Sequence, residues 1–335
     1  MLSAAVVLAA GGAERALALK TDTSIFSPVS TPSSSIYSLS LFVLAIAAGI
    51  FVVVGGLIVY TAVRFRQQPN DDDSEPPQIF GSNQIELSWT IIPVLIVVVL
   101  FLATARMIFA IQDAPKPAAA VEVTAIGHQF WWEFRYPALH ITTANELHIP
   151  VSPTGDPRPT FMKLTSADVI HSFWVPRLAG KVDLVPNRIN ELWMDPHAPG
   201  VYVGQCAQFC GVEHAKMLLR VSVDTPDQFA AWVKREQQPG VQDASIAAGR
   251  QEFERQACMN CHAIAGTPAH GQFGPDLTHL ASRKTIAAGA AENTTENLER
   301  WIADPDQIKP GSLMPSMHLT PDQVREITAY LNTLQ

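Results

Sequence analysis

The sequence predicts a multidomain membrane protein, in which a two-helix transmembrane hairpin precedes an all-β domain and then an all-α domain. Two long uncharged runs lie in the first third, short β-rich runs separated by turn residues fill the middle, and a helical pattern follows. The 335 residues are 47% hydrophobic and only 16% charged, whereas soluble proteins are typically about 25% charged. The net charge of −8 argues against a nucleic-acid partner.

Residues 1–35 are interpreted as a leader followed by a linker. Leu2–Ala10 is apolar, and Ala16–Ala18 matches the small-x-small cleavage site of a secretory signal. A signal normally carries its basic residues before the apolar run, but Arg15 follows it. A disordered leader is therefore the alternative. Residues 21–35 are rich in Ser, Thr and Pro, which predicts a linker.

Residues 36–111 are predicted to form the transmembrane hairpin. Leu39–Val63 and Leu87–Ala105 contain no charged residue. Each run is close in length to a membrane span, which needs about 20 residues. Arg64 and Arg66 follow the first run, which places the connecting loop in the cytoplasm. We therefore expect lipid around both helices and the C-terminal domains on the outer, periplasmic side of a bacterial cell membrane.

Residues 112–238 are predicted to form the all-β domain, since short strands separated by turns are typical of a sandwich or barrel. The predicted strands are Val121–Ile126, Phe130–Tyr136, Glu146–Pro150, Phe161–Thr165, Arg188–Met194, Gly200–Gln205 and Met217–Val223. Thr225–Glu236 is a predicted helix, because Thr225 and Pro226 are typical cap and first-turn residues. Residues 239–335 are predicted to form the helical domain, whose last helix is expected to begin at Thr320.

Four soft metal ligands lie close together near the end of the all-β domain. They are Cys206, Cys210, His214 and Met217. Thiolate, imidazole and thioether ligands together favour copper. Cupredoxin sites draw most of their ligands from one such loop and one histidine from elsewhere, for which His171 is the candidate. The alternative is a disulfide between the two cysteines, which an oxidising compartment permits.

A second cluster lies in the helical domain. Cys258, Cys261 and His262 form a C-x-x-C-H motif, which predicts one covalently attached haem c with the histidine as its proximal ligand. A redox dithiol or half of a zinc site is disfavoured, because the histidine follows directly and no further cysteine pair belongs to this domain. Met314 is the predicted second axial ligand, since methionine ligation is found in cytochromes c. The further candidates are Met317 and His279.

Several segments resemble cytochrome c oxidase subunit II. They are Tyr202–Met217, Gly127–Glu133, His171–Pro176 and the start of the second span at residues 83–93. The resemblance covers roughly residues 35–225, and the fused cytochrome makes the whole chain similar to caa3-type oxidases. It implies that the all-β domain has a cupredoxin-like fold.

The resemblance also implies a binuclear copper centre, CuA, with two copper ions bridged by both thiolates. Its ligands would be His171, Cys206, Cys210, His214, Met217 and the backbone carbonyl of Gln208. Many family members have a glutamate at position 208 that also binds magnesium or manganese. Gln208 therefore leaves that ion in doubt, although Asp183 matches a nearby family position.

Two further roles follow from the resemblance. Glu86 matches the glutamate at the entrance of a proton pathway into subunit I, and a solvated interfacial acid is the alternative. Electrons from a cytochrome c would reach the copper site at Phe130, Trp131 or Trp132. Many family members have a tryptophan at position 130, so the route can differ here. Aromatic core packing is the alternative for these rings.

The combined features imply a subunit of the multisubunit enzyme cytochrome c oxidase. Electrons would pass from a cytochrome c or a bc1-type complex through haem c and CuA to subunit I, which reduces oxygen to water and pumps protons. Subunits I and III are the expected partners, and the predicted spans hold no histidine for an oxygen-reducing site. The alternatives are a membrane-anchored electron carrier and the donor subunit of a CuA-type nitric oxide reductase.

Overall fold

The computed structural model describes residues 23–67, 75, 78, 80–153, 155, 157–240 and 246–335. The predicted signal lies outside these residues. Two helices come first: α1 spans Thr31–Arg64 and α2 spans Asn83–Gln112. Their most apolar windows have mean hydropathies of 2.9 and 2.7 with no residue buried. Both helices are thus long and apolar enough to cross a membrane, and their apolar side chains face outward.

Helix α1 begins at Thr31, inside the stretch 21–35 that the sequence predicts as a linker. Ser30 and Ser33 form a capping box, in which each side chain meets the backbone N–H of the other residue. Such a box satisfies N–H groups that otherwise have no partner at a helix start. The polar composition of this stretch therefore reflects helix capping, and the first span starts earlier than its hydrophobic run.

Helices α1 and α2 are both tied to the β domain, α1 at its first residue and α2 near its last residue. The backbone N–H of Thr31 donates to Asp195 Oδ1 at 2.7 Å, and the hydroxyl of Thr31 donates to Oδ2 at 2.5 Å. At the end of α2, the indole N–H of Trp193 donates to the carbonyl oxygen of Ile111 at 2.7 Å. One short stretch of the β domain therefore holds both helices.

The β domain is a sandwich of two five-stranded sheets, ordered β3-β2-β1-β5-β8 and β4-β10-β9-β6-β7. The core between them includes Trp132, Phe134, Leu147, Leu164 and Phe173, each fully buried. All seven predicted strands form, whereas β3, β6 and β7 are additional. The strands are β1 Val121–His128, β2 Trp131–Tyr136, β3 Ile141–Ala144, β4 Glu146–Pro150, β5 Thr160–Ser166, β6 His171–Trp174, β7 Val182–Leu184, β8 Asn190–Met194, β9 Gly200–Cys206 and β10 Leu218–Asp224.

The C-terminal region is helical, as predicted. Helix α3, Pro226–Glu236, packs on the sandwich core through Trp232, and the later elements are α4 Ala247–Arg255, β11 Thr285–Ile286, β12 Ala291–Glu292, α5 Thr295–Ala303 and α6 Pro321–Leu331. Thr225 and Thr320 cap α3 and α6 by accepting hydrogen bonds from backbone N–H groups, which confirms both predicted helix starts. Phe253, Leu298, Ile327 and Tyr330 belong to a second core, separate from that of the sandwich.

Candidate copper and haem sites

Neighbouring strands of one sheet bring the predicted copper ligands together. Cys206 ends β9 and Met217 directly precedes β10, and these two strands are antiparallel. The loop between them carries Cys210 and His214. His171 begins β6, which pairs with β9 so that Phe173 lies opposite Cys206. The sheet register therefore delivers the distant histidine to the loop.

The candidate donor atoms lie at distances that suit shared metal ions. Cys206 Sγ is 3.9 Å from Cys210 Sγ and 3.9 Å from His171 Nδ1. Cys210 Sγ is 3.7 Å from His214 Nδ1 and 3.8 Å from Met217 Sδ. Metal–sulfur bonds measure about 2.3 Å, so two sulfurs on one metal lie at most about 4.6 Å apart. The cysteines are free thiols, whereas a disulfide needs about 2.05 Å between its sulfurs.

The thiols carry opposite pKa shifts that bear on what the site can hold. Hydrogen bonds from Cys210 and His171 lower the pKa of Cys206 to about 3, against the effect of burial. The neighbouring thiolate and burial raise the pKa of Cys210. Joint ionisation of two thiols this close is strongly disfavoured unless a positive charge lies between them. A pair of copper ions supplies such charge, so the donor set fits them.

Two residues fix the ring of His171. Asp168 Oδ1 lies 2.8 Å from Nε2, which leaves Nδ1 directed toward Cys206. A metal-binding histidine commonly donates its other N–H to a carboxylate in this way. Gly127 backs the ring, because a Cβ at this position would lie 2.7 Å from His171 Cδ2. Sequence reasoning missed Asp168, although an acid three residues before a candidate ligand was a usable signal.

The remaining copper-site candidates have mixed positions. The backbone carbonyl of Gln208 lies 3.1 Å from Cys206 Sγ, beside the cluster. The side chains of Gln208 and Asp183 are exposed. Glu86 lies in the first turn of α2 with an exposed side chain, so its role in proton uptake stays a prediction.

The haem motif lines a pocket in the helical domain. Cys258, Cys261 and His262 face it together with both candidate methionines. His262 Nδ1 lies 2.8 Å from the carbonyl oxygen of Pro275, which leaves Nε2 available to a metal. Gly274 packs on this ring, because a Cβ there would lie 2.5 Å from His262 Cε1. Burial lowers the pKa of His262, which favours the neutral, metal-binding form.

The three candidates for the second axial position differ in their surroundings. Met314 and Met317 both line the pocket, but Met314 is half-buried whereas Met317 is 42% exposed. His279 lies elsewhere, with ring nitrogens 2.8 and 3.1 Å from the carbonyl oxygens of Gln335 and Gln238. Its two nitrogens are thereby occupied, so the choice narrows to the methionines.

Arg283 provides an independent test of whether a haem fits. Arg283 is only 8% exposed and lines the haem-motif pocket. One guanidinium nitrogen, Nη2, donates to the carbonyl oxygen of Asp276 at 2.5 Å, whereas Nε has no hydrogen-bond partner among the described residues. A buried, unpartnered cationic donor suits an anionic ligand group. The carboxylates of a haem would meet that requirement, so the pocket fits this cofactor.

The aromatic segment lies between the two sites. Phe130 is 6% exposed and Trp132 is fully buried, so neither ring can meet a soluble partner directly. Phe130 and Trp131 line the haem-motif pocket together with Gln129. The side-chain amide of Gln129 also hydrogen-bonds the copper-ligand loop at Cys210. One segment therefore contacts both candidate sites, a relation that strand pattern alone does not reveal.

Comparison with known proteins gives three family matches. Residues 21–107 match the transmembrane domain of cytochrome c oxidase subunit II, residues 141–223 match its periplasmic domain, and residues 246–335 match cytochrome c. These matches cover the hairpin, most of the sandwich and the helical domain.

Individual relatives match most of the chain. Cytochrome c oxidase subunit 2 of Alkalihalophilus pseudofirmus is 35% identical over 304 residues, which cover 89% of this chain and 85% of the relative. The subunit 2 of Bacillus sp. strain PS3 is 34% identical, covering 81% and 80%. A crystal structure of the periplasmic domain of subunit II from Bradyrhizobium japonicum is 30% identical, covering 36% of this chain and 95% of that one, with a TM-score of 0.34.

Proposed function

This chain belongs to the cytochrome c oxidase subunit II family and carries a C-terminal cytochrome c domain, and from this premise we propose that it conducts electrons from an external donor through haem c and CuA to subunit I. It is a membrane-anchored subunit of a haem–copper oxidase complex. The observation that carries the proposal is the segment Gln129–Trp131, which lines the haem-motif pocket and hydrogen-bonds the copper-ligand loop.

The copper ligands in this proposal are the six that the sequence suggests: His171, Cys206, Gln208, Cys210, His214 and Met217. Copper held by these residues would supply a one-electron carrier. The protein keeps this site rigid, because Asp168 holds His171 and both thiols are buried in the sandwich. Rigid ligands lower the structural rearrangement that accompanies each electron.

The haem ligands in this proposal are Cys258, Cys261, His262 and Met314. A bound haem c would supply a single-electron carrier whose potential the axial methionine raises. Pro275 and Gly274 orient His262, and Arg283 would hold the carboxylates of a bound haem. In this proposal, electrons would reach Phe130 and Trp131 from haem c on the same chain.

Oxygen reduction and proton pumping belong to partner subunits in this proposal. The positive charges of Arg64 and Arg66 support a cytoplasmic loop between the helices, and in this proposal the redox domains face the outer side of the bacterial membrane. Glu86 then lies near the cytoplasmic start of α2, where a carboxylate can admit protons to subunit I. Subunit III and a cytochrome c or bc1-type donor complete the expected assembly, which resembles the caa3 type.

The test is purification of the complex from native membranes, followed by metal analysis with optical and electron paramagnetic resonance spectra. We expect haem c, haem a and a mixed-valence copper signal, with two copper ions and one covalent haem on this chain. Iron without copper, with Cys206 and Cys210 joined in a disulfide, would contradict the copper assignment. Purification of the chain without oxidase partners would favour a free-standing electron carrier.

A further inference from the structure

Lys309 is a buried lysine at the boundary between the sandwich and the helical domain. Its residue is 4% exposed. The ammonium donates to the carbonyl oxygens of Phe130 at 2.7 Å, Lys216 at 2.9 Å and Ala287 at 3.3 Å. A lysine ammonium has three N–H donors and no acceptor. All three donors are thus satisfied, and two of the three acceptors belong to the other domain.

The burial of the Lys309 ammonium depends on acceptors from the sandwich. A buried charge is unfavourable unless hydrogen bonds and opposite charge compensate it. Without the sandwich, Lys309 would keep only the carbonyl of Ala287 among these acceptors. Burial lowers the pKa of Lys309 to about 7, whereas the carboxylate of Glu213, itself buried in the copper-ligand loop, favours the charged ammonium. The partners of Lys309 therefore indicate that it serves the contact between the domains.

Further contacts surround this lysine. Lys216 Nζ donates to the carbonyl oxygen of Ile308 at 2.8 Å, and the backbone N–H of Leu218 donates to Ala288 at 3.0 Å. Val212 in the copper-ligand loop packs against Gly311, where an added Cβ would lie 2.8 Å from Val212 Cγ2. The helical domain therefore rests on the loop that holds the copper ligands.

A second anchor lies at Glu146 on β4. Its buried carboxylate accepts hydrogen bonds from the backbone N–H of Thr285 at 2.8 Å, its hydroxyl at 2.7 Å, and the backbone N–H of Lys284 at 3.0 Å. Hydrogen bonds to ionised groups are the stronger kind. Two charged side chains, one from each domain, thus insert into the partner domain at separate points, which opposes rotation of one domain on the other.

We propose that Lys309 is a positioning residue that holds the cytochrome domain on the copper-ligand loop and so fixes the separation of the two redox centres. The inference rests on the proposed function, since it requires electrons to pass between them. Electron transfer slows steeply with distance. The hydrogen-bond acceptors of Lys309 lie close to both candidate sites, because Phe130 lines the haem-motif pocket and Lys216 directly precedes the predicted copper ligand Met217.

The test is Lys309→Met in the complete complex, which keeps side-chain length but removes the charge and three hydrogen bonds. After rapid photoreduction of haem c, its reoxidation by copper should slow severalfold, because transfer between two redox centres falls with the distance that separates them. Both optical and copper spectra should persist. Arg325→Met is the matched control, because this cation lies in the same domain on α6 with an exposed side chain, and the rate in this variant should be unchanged.

Solvent viscosity separates positioning from a general loss of stability. In Lys309→Met the domain must settle before each transfer, so the rate should fall as viscosity rises, whereas the wild-type rate should not change. Lys309→Gln, which keeps a donor, serves if the methionine variant does not fold, and a smaller slowing is expected. An unchanged rate in the folded variant would overturn the inference. Absence of haem-to-copper transfer in the wild type would instead overturn the proposed function.

Discussion

The side-chain amide of Gln129 donates a hydrogen bond to the carbonyl oxygen of Cys210, with 2.6 Å between Nε2 and the oxygen. Gln129 also lines the haem-motif pocket, so one residue contacts both candidate sites. Its backbone N–H donates to Asp168 Oδ2 at 2.6 Å, and Asp168 orients His171. Gln129 is therefore linked to both the loop and the distant copper ligand.

We expect Gln129→Leu to weaken this link. The variant leaves the Cys210 carbonyl without its side-chain donor, and because this hydrogen bond is only half-buried, its loss should cost toward the lower end of the about 1–3 kcal/mol typical of buried groups. The copper absorbance should be lost at a lower temperature than in the wild type, and electron transfer from haem c should slow. Thermal unfolding followed by copper absorbance measures the first effect. Gln251→Leu, at an exposed site on α4, is the control, and equal melting of the two variants would contradict the prediction.

The two metal assignments predict reciprocal losses. Cys206→Ser should abolish the copper signal and leave the covalent haem intact, because serine is a poor ligand for copper compared with thiolate. The double variant Cys258→Ser, Cys261→Ser should lose haem that resists denaturing electrophoresis but retain copper. Electron paramagnetic resonance and haem staining measure both. A normal copper spectrum in Cys206→Ser would reject the assignment.

The axial ligand can be identified from the haem potential. Met314→Leu should lower the reduction potential of haem c, because methionine ligation raises it, and should change the optical spectrum. Met317→Leu should leave both unchanged, since this more exposed methionine only borders the pocket. Potentiometric titration with optical detection makes the comparison. The opposite pattern would assign the position to Met317.

Glu133 predicts a pH-dependent stability of the sandwich. Burial alone would raise its pKa, but hydrogen bonds with His128 and Arg135 lower it below the ordinary 4.5. The carboxylate therefore stabilises the fold above that pH, and the contribution is lost as the pH falls through the lowered pKa. Hydrogen bonds to a charged group contribute about 1.5–3 kcal/mol each.

The matched variants are Glu133→Gln and Glu191→Gln, the second on the exposed surface of β8. At neutral pH, Glu133→Gln should unfold at a lower temperature than the wild type, and this difference should shrink as the medium becomes more acidic than pH 4.5. Calorimetry of the detergent-solubilised protein gives both temperatures. A difference that stays constant with pH would show that the charge of Glu133 is not the source of the stability.

Much of the fold follows from local sequence pattern. The membrane helices, seven strands and two threonine caps were predictable because each depends on residues close in sequence. Strands β3 and β7 escaped prediction because they have only four and three residues, too few for alternation to stand out. Strand β6 was read only as a ligand segment, since its pairing with β9 comes from the sheet.

The candidate sites divide in the same way. The cysteine and histidine motifs are recognisable because their spacing is local. Lys309 and Phe130 are separated by 179 residues, and Asp168 meets Gln129 across 39 residues. No periodicity marks such pairs. Arg283 likewise gains its meaning only from the pocket that folding creates around it.

The stretch from Trp193 to Asp195 holds the ends of both membrane helices. Because this contact is short and consists of direct hydrogen bonds, we expect the hairpin and the sandwich to tilt together as one rigid body. A bilayer that thickens or thins, and so changes the inclination of its helices, would raise, lower or lean the copper-ligand loop over the membrane surface. Lipid composition would therefore change the position of the copper-ligand loop relative to the partner subunits.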